Sequence, residues 1–251
     1  MSYISEIKKP IMKTTKIVIM LLGVLLMTSC IGNFNINQID GNRDVVTENR
    51  SIGRDFDTVK GSSGLEVILT QGSENALRVE ADSNLQNIIE TYVDNNTLYI
   101  KAEENIGSAA KKTVYVTYTT LSSIKASSGA NVSLNNEFKE EKLTLDASSG
   151  AAITASVFSK DAYVEASSGG NVHVEGKTKN LRTKASSGGH IDAKDLLSVI
   201  CNARASSGGN ITVNTKEELE AKTSSGGSIT YDGDPIVKNN SSKHNNNVSR
   251  L

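Results

Sequence analysis

A tetrapeptide that recurs at a nearly constant spacing restricts the fold of this 251-residue chain more than any other feature. The sequence Ala-Ser-Ser-Gly, or Thr-Ser-Ser-Gly in its last copy, ends in glycines separated by 21, 19, 19, 20 and 18 residues. These glycines are Gly129, Gly150, Gly169, Gly188, Gly208 and Gly226. A fixed period of about 20 residues is typical of a solenoid, in which each repeat stacks on its neighbours.

The residues that flank the tetrapeptide alternate between apolar and polar side chains. Three residues after each glycine the side chain is β-branched, at Val132, Ile153, Val172, Ile191, Ile211 and Ile229. Seven residues before each glycine lies a second column that we predict to face inward: Ser122, Leu143, Ala162, Leu181, Cys201 and Leu219. Four residues before each glycine the side chain is charged: Lys125, Asp146, Glu165, Lys184, Arg204 and Lys222. Alternation with a period of two indicates strands that bury one face.

We therefore predict an all-β fold, a right-handed parallel β-helix (β-solenoid) with coils of about 20 residues and Ser-Ser-Gly turns. A hairpin meander is the alternative, but it does not explain why chemically equivalent positions recur in every repeat. The turn glycines are expected to adopt positive φ. An earlier copy, Gly61-Ser62-Ser63-Gly64, has similar flanks, and the separation of 65 residues between Gly64 and Gly129 leaves room for about three further coils.

The N-terminus carries the features of an exported lipoprotein. Basic residues precede an apolar run, Ile17 to Met27, of eleven residues, whereas a helix that spans a bilayer needs about 20. This pattern predicts a signal peptide over residues 1–29, with translation starting at Met1 or Met12. Met27-Thr28-Ser29-Cys30 resembles a bacterial lipobox, so Cys30 is the predicted lipid attachment site and a membrane is a predicted partner.

The rest of the chain divides by composition into four segments. We predict a polar tether over 30–50, a less regular N-terminal solenoid or cap over 51–125, the regular Ser-Ser-Gly solenoid over 126–236, and a mobile Asn/Ser-rich tail over 237–251.

Charge and ligand-forming residues exclude several classes of function. The chain has 27 basic and 28 acidic residues, a balance that argues against binding nucleic acid through its phosphates. Cys201 falls in an inward column and is predicted to be a small buried side chain. His173 and His190 fall on outward positions of successive coils and do not converge with other ligands, so we predict no metal site and no cofactor.

Several stretches outside the turns resemble a known family. Asp55-Phe56-Asp57-Thr58-Val59, the run from Leu65 to Gly72 and the closing Tyr231-Asp232-Gly233-Asp234-Pro235 carry the resemblance together with the Ser-Ser-Gly coils. Over roughly residues 50 to 236 the chain resembles the "putative auto-transporter adhesin, head GIN domain" family of Bacteroidetes-type bacteria. The resemblance implies a fold similar to pectin-lyase-like β-helices, no assigned catalytic centre and a role in adhesion.

The first functional hypothesis is a non-catalytic, lipid-anchored cell-envelope solenoid that binds a partner or has a structural role through repetitive polar faces. Two residues after the turn glycines lie Asn131, Asn171, His190 and Asn210, which form a candidate surface-binding ladder for a glycan or protein ligand. We expect an outer-membrane lipoprotein. The absence of an acidic run after Cys30 favours the periplasmic face over the cell surface.

Two alternatives remain open. A polysaccharide lyase or hydrolase would need two carboxylates about 5 to 9.5 Å apart, which Asp146 and Glu165 on adjacent coils would provide. Because Lys125 and Lys184 flank this pair, the column is interpreted as a charge-compensating ladder, and we predict that the protein is not an enzyme. The other alternative is a self-assembling envelope filament, which would make the protein a homo-oligomer.

Overall fold

The computed structural model describes residues 37–241 and 247–251, and these residues fold almost entirely into β-strands. The predicted signal peptide and Cys30 lie outside the described residues. Nowhere in the described ranges is there a helix with the length and apolar character needed to cross a membrane.

From residue 37 to the start of the regular array, the structure contains nine short strands and one 3₁₀ turn, Ser83–Leu85. The strands are β1 (Gln38–Ile39), β2 (Val45–Arg50), β3 (Thr58–Gly61), β4 (Glu66–Gln71), β5 (Ala76–Asp82), β6 (Ile89–Asp94), β7 (Thr97–Ala102), β8 (Asn105–Ile106) and β9 (Lys112–Tyr118). Strand β2 runs antiparallel to β5, β5 antiparallel to β9, and β6 antiparallel to β7. These antiparallel strands cover one end of the solenoid, where a bare edge would otherwise be free to pair with other chains.

The regular array follows in ten strands. They are β10 (Ser123–Ala126), β11 (Asn131–Leu134), β12 (Lys142–Ala147), β13 (Ala152–Ala166), β14 (Asn171–Ala185), β15 (His190–Ala205), β16 (Asn210–Thr223), β17 (Ser228–Asp232), β18 (Ile236–Asn239) and β19 (Val248–Arg250). Each of β13 to β16 is a long bent strand that carries one repeat and pairs in parallel with the next. The predicted all-β parallel solenoid is therefore confirmed.

The coils do not stack in simple sequence order at the N-terminal end. Strand β3 pairs in parallel with β7 on one side and with β10 on the other, and β4 pairs likewise with β9 and β11. The backbone N–H of Gly64 donates to the carbonyl oxygen of Ser128 at 2.9 Å, so these two turns are direct neighbours. The prediction of three coils between Gly64 and Gly129 is wrong, because the intervening chain builds the cap and one coil on the opposite side of β3 and β4.

The turns have the geometry of type I′ turns, with positive φ at both central residues. In one example Ser168 has φ +49° and Gly169 has φ +74°, and the N–H of Gly170 donates to the carbonyl oxygen of Ser167 at 2.8 Å. The N–H of Gly169 then donates to the carbonyl oxygen of Ser187 in the next coil at 3.1 Å, which extends the hydrogen-bond ladder around the corner. All seven turn glycines have φ between +66° and +77°.

The core consists of stacked columns of small and branched apolar side chains. The β-branched column from Val132 to Ile229 is buried at every coil. Cys201 is buried as predicted, and burial raises the pKa of its thiol to about 12. Ser122 is an exception to its predicted inward column: it is exposed and Leu121 is buried instead, because regular pairing of β10 begins only at Ser123.

Asp82 fastens the cap together from a fully buried position. Its carboxylate accepts backbone N–H bonds from Arg43 at 2.9 Å, Ala110 at 3.2 Å and Lys111 at 2.9 Å. Burial alone would raise the pKa of Asp82, but these donors outweigh it and lower the pKa below its ordinary value. One carboxylate thereby joins three segments that are distant in sequence.

Two predicted boundaries differ from the structure. The predicted tether, 30–50, includes strand β2, whose side chains from Val45 to Asn49 are exposed and therefore show no alternation of buried positions. The predicted tail, 237–251, includes most of β18 and all of β19, which pair with β16 and β17. Val237 and Val248 pack against the core, so the solenoid continues past residue 236.

Candidate functional site

The predicted ladder forms an exposed file, by which we mean a row of register-paired residues that crosses the strands, beside the turns. In register the file runs Asn131, Ala152, Asn171, His190 and Asn210, so an alanine interrupts the polar series. The side-chain amides of Asn171 and Asn210 each donate to a turn-glycine carbonyl oxygen at 3.2 Å. The ladder residues are exposed, but two of them use part of their hydrogen-bonding capacity to brace the turns.

The histidines lie on the same face without a metal-ligand set. His173 Nδ1 is 3.3 Å from Asp192 Oδ2, and both side chains are more than a third exposed. His190 is also exposed, whereas His244 lies outside the described residues. Across residues 37–241 and 247–251, no group of three His, Cys, Asp or Glu side chains is placed to hold a metal ion.

On the sheet that precedes the turns, the predicted charge column is a continuous file. Lys125, Asp146, Glu165 and Lys184 are neighbours in register. Glu165 Oε1 accepts a hydrogen bond from Lys184 Nζ at 2.6 Å. Burial raises the pKa of Asp146, and the negative charge of Glu165 adds to this effect, while Lys125 and Lys184 oppose it. Asp146 is thus harder to ionise than an exposed aspartate, and Glu165 is held in an ion pair.

A cleft of about 320 Å³ opens on this file, and Tyr163 is among the residues that line it. Tyr163 is half-buried, with Lys142 Nζ 5.0 Å and Arg182 Cζ 5.2 Å from its ring centroid. Four basic and two acidic side chains line the cleft. In the part of the chain that the structure describes, Lys184 alone among the four basic residues has a carboxylate oxygen within 4.0 Å.

The sequence reasoning overlooked this cleft although its signal was present. Tyr163 and Arg182 each lie six residues before a turn glycine and are register partners, as are Thr144 and Tyr163. Aligning the repeats at that position would have placed a tyrosine beside an arginine on the outward face. The charged column described above lies four residues before the turn glycines, two residues closer to the turn than Tyr163 and Arg182.

A second aromatic cluster lies where the charge file reaches the cap. Tyr92 and Tyr99 are stacked with ring centroids 5.1 Å apart, and Lys60 Nζ lies 5.7 Å from the centroid of Tyr99. Lys60 pairs in register with Tyr99 on one side and Lys125 on the other. The outward file therefore runs without a break from the stacked tyrosines to the Tyr163 cleft.

Comparisons with known proteins agree with this architecture. A protein-family model described as "putative auto-transporter adhesin, head GIN domain" matches residues 55–235. No curated protein sequence matches the chain.

Solved structures with similar folds include the following three. A "putative adhesin" from Bacteroides fragilis NCTC 9343 is 18% identical, covers 85% of this chain and 100% of its own, and has a TM-score of 0.74. A "putative adhesin" from Parabacteroides distasonis ATCC 8503 is 16% identical over 86% of this chain and 100% of its own, with a TM-score of 0.68. A "putative lipid binding protein" from the same organism is also 16% identical over 86% and 100%, with a TM-score of 0.62. At these identities the likeness shows a shared fold.

The family match spans 181 of the 251 residues and coincides with the solenoid and most of its cap. It confirms the resemblance drawn from the opening strands, the Ser-Ser-Gly coils and the closing turn. The chain therefore belongs to the family described as "putative auto-transporter adhesin, head GIN domain".

Proposed function

We propose that this protein is a non-catalytic, lipid-anchored module of the cell envelope that adheres to a ligand through repeated outward side chains of its solenoid. The observation that carries the proposal is the exposed file in which Asn171, His190 and Asn210 are consecutive and Asn131 lies beyond Ala152. Backbone pairing spaces consecutive positions of this file about 4.8 Å apart. Individually weak contacts at a fixed spacing add up to a firm attachment when many copies act together.

Two further observations support this role. The family description and the descriptions of two similar structures name adhesins. In addition, the pair of carboxylates considered for polysaccharide cleavage, Asp146 and Glu165, includes a member that is held by Lys184 at 2.6 Å, namely Glu165. An ion-paired carboxylate is a poor nucleophile or base, so binding without cleavage is the favoured chemistry.

Attachment to the membrane is the second part of the proposal. Cys30 follows a short apolar segment and would be acylated as the first residue of the mature chain. We place the protein in the outer membrane, with the periplasmic face favoured over the cell surface.

Location is tested by palmitate labelling and by protease treatment of intact and permeabilised cells. Wild type is expected to incorporate label and Cys30→Ala is expected not to. Digestion only after permeabilisation is expected for the periplasmic face. Digestion of intact cells would instead place the solenoid outside, and equal labelling of both variants would refute the lipid anchor.

Adhesion is tested with beads that carry the chain expressed without its signal peptide, which is not acylated and is coupled through the free thiol of Cys30, at several densities. Binding of isolated cell envelopes is expected to rise steeply with density, because attachment depends on many weak contacts. The triple variant Asn171→Ala, His190→Ala, Asn210→Ala is expected to bind less, whereas Asn49→Ala in the cap serves as the matched control. Binding no greater than that of uncoated beads would refute the adhesive role.

A further inference from the structure

The Tyr163 cleft contains three cations whose charge no nearby carboxylate in the described part of the chain neutralises through a direct ion pair. Within the described residues, Lys125, Lys142 and Arg182 have no carboxylate oxygen within 4.0 Å, although all three line one cleft of about 320 Å³. The full chain carries a formal net charge of −1, so a cleft with four basic and two acidic side chains is a local concentration of positive charge. Clustered cations without a direct carboxylate partner attract an anionic ligand to a concave site.

The other groups in the cleft indicate what kind of anion fits. The Tyr163 ring offers an apolar face with a polar edge, on which a flat, partly apolar ligand ring packs. The guanidinium of Arg182, beside that ring, is suited to bidentate contact with a carboxylate or sulfate. The carboxylates of Asp146 and Glu165 accept hydrogen bonds and are suited to ligand hydroxyl groups. An acidic group, a ring and several hydroxyls together describe an acidic sugar.

We propose that the cleft formed by Tyr163, Arg182, Lys142, Lys125 and Asp146 binds an acidic polysaccharide, with the acidic group on Arg182 and the sugar ring against Tyr163. This inference rests on the proposed binding role, adds to the ladder a second surface on the strands that precede the turns, and names the class of ligand for that surface. The ligand displaces the cation–π contacts of Lys142 and Arg182 with Tyr163 and replaces them with charge-assisted hydrogen bonds.

The same file provides room for more than one sugar. From the strand of Tyr163 the outward file continues over β12, β10 and β3 to Tyr99 on β7, a distance of roughly 19 Å at the usual strand spacing. Lys125 and Lys60 lie along this path, and the stacked Tyr99 and Tyr92 lie at its end. A polymer laid across the strands therefore meets a second aromatic platform with cations between the two.

The test is affinity electrophoresis of the mature chain in gels that contain polygalacturonate, chondroitin sulfate or neutral dextran. Retardation is expected with one or both acidic polymers and not with dextran, and the two acidic gels distinguish carboxylate from sulfate recognition. Salt is expected to weaken retardation, because the contacts are ionic. Equal retardation in dextran, or none in either acidic gel, would overturn the proposal.

Variants locate the site. Arg182→Ala and Tyr163→Ala are each expected to weaken retardation about tenfold or more, as loss of a charge-assisted contact or an aromatic platform predicts. Tyr163→Phe keeps the aromatic ring and is expected to bind nearly as well as wild type. This variant tests the role of the ring even if Tyr163→Ala does not fold. Arg78→Ala and Tyr115→Ala remove a matching pair elsewhere, where Arg78 Cζ lies 4.1 Å from the ring centroid of Tyr115. An equal loss in these controls would refute the cleft as the site.

The two proposals fail in different ways. If the beads described above bind envelopes while acidic polymers do not retard the chain, the ligand class is wrong and the adhesive role stands. If neither assay detects binding, the adhesive role itself is refuted.

Discussion

Replacing Gly176 by alanine is expected to be far more damaging than the same change at a turn glycine. Gly176 has φ +112°, and a Cβ added there would lie 2.3 Å from the carbonyl oxygen of Val157 in the preceding coil. That separation would have to open to at least 3.0 Å before a real side chain could be accommodated. Because the neighbouring atom belongs to the backbone, the two coils themselves must move apart.

Comparison with Gly169 distinguishes the cost of the steric clash from the cost of the left-handed backbone conformation. Gly169 has φ +74°, but a Cβ there would have no neighbour within 4 Å. Gly169→Ala therefore adds only the left-handed backbone cost of about 1–2 kcal/mol, reduced by about 0.4–1 kcal/mol because alanine restricts the unfolded chain. We expect a net loss of about 1 kcal/mol in the free energy of unfolding for Gly169→Ala, and about 3 kcal/mol or more for Gly176→Ala.

Guanidinium denaturation followed by far-UV circular dichroism measures this difference. With a denaturant slope of roughly 5 kcal/mol/M, the midpoint should fall by about 0.2 M for Gly169→Ala and about 0.6 M for Gly176→Ala. Gly53→Ala is the control, because Gly53 has neither a positive φ nor a neighbour within 4 Å of its added Cβ. Equal losses at positions 169 and 176 would refute the close approach of the backbone at Val157.

Three further predictions concern single side chains. Ser187 is exposed and has φ +49°, a conformation that asparagine adopts more readily than serine. Ser187→Asn should therefore raise the free energy of unfolding by about 0.5 kcal/mol, and a lower thermal midpoint would contradict this. Because the pKa of Asp146 is raised in the folded state, its ionisation costs stability above that pKa and the cost disappears below the unfolded value near 3.8. Asp146→Asn should therefore raise the denaturation midpoint at neutral pH and leave it unchanged at strongly acidic pH, whereas a lower neutral-pH midpoint would show that the charged form is favoured. The thiol of Cys201 is completely buried and has a pKa of about 12. In a Cys30→Ala chain it should therefore react with iodoacetamide at pH 8 roughly 10³-fold more slowly than in the denatured chain. Comparable rates would mean that the thiol is accessible.

The regular coils could be predicted from the sequence because local and global signals agree there. Ile191 and Ile211 follow their turn glycines at the same distance, and each side chain alternates with polar neighbours, so pattern and register point to one arrangement. Coil-to-coil stacking then requires no information beyond the repeat itself.

The cap could not be predicted in the same way. Strand β2 is held by backbone hydrogen bonds to β5 and exposes its side chains, so it leaves no hydrophobic pattern in the sequence. Asp82 meets Arg43 and Lys111 only in the folded chain, because no local rule joins segments that far apart. The pairing of Gly64 with Ser128 was missed because a turn motif specifies its own shape but not the coil on which it stacks.

The site was predicted in part. Exposure of the ladder residues follows from alternation along the strands, but the convergence of Lys142, Tyr163 and Arg182 needs the register of three coils. Neither the cation–π distances nor the shape of the cleft is encoded in any one repeat.

The unusual order of coils at the N-terminal end has a consequence for how the chain acquires its structure. Both neighbours of β3, namely β7 and β10, come later in the sequence, and the same is true of β4. As the chain emerges, its first coil therefore has no template and must wait through a long loop closure until the segment 76–118 has folded. Every later coil finds its predecessor already in place and needs to search only about 20 residues of sequence. We therefore expect the cap to form before the repeats, and the repeats to add in order from the N-terminus towards the C-terminus.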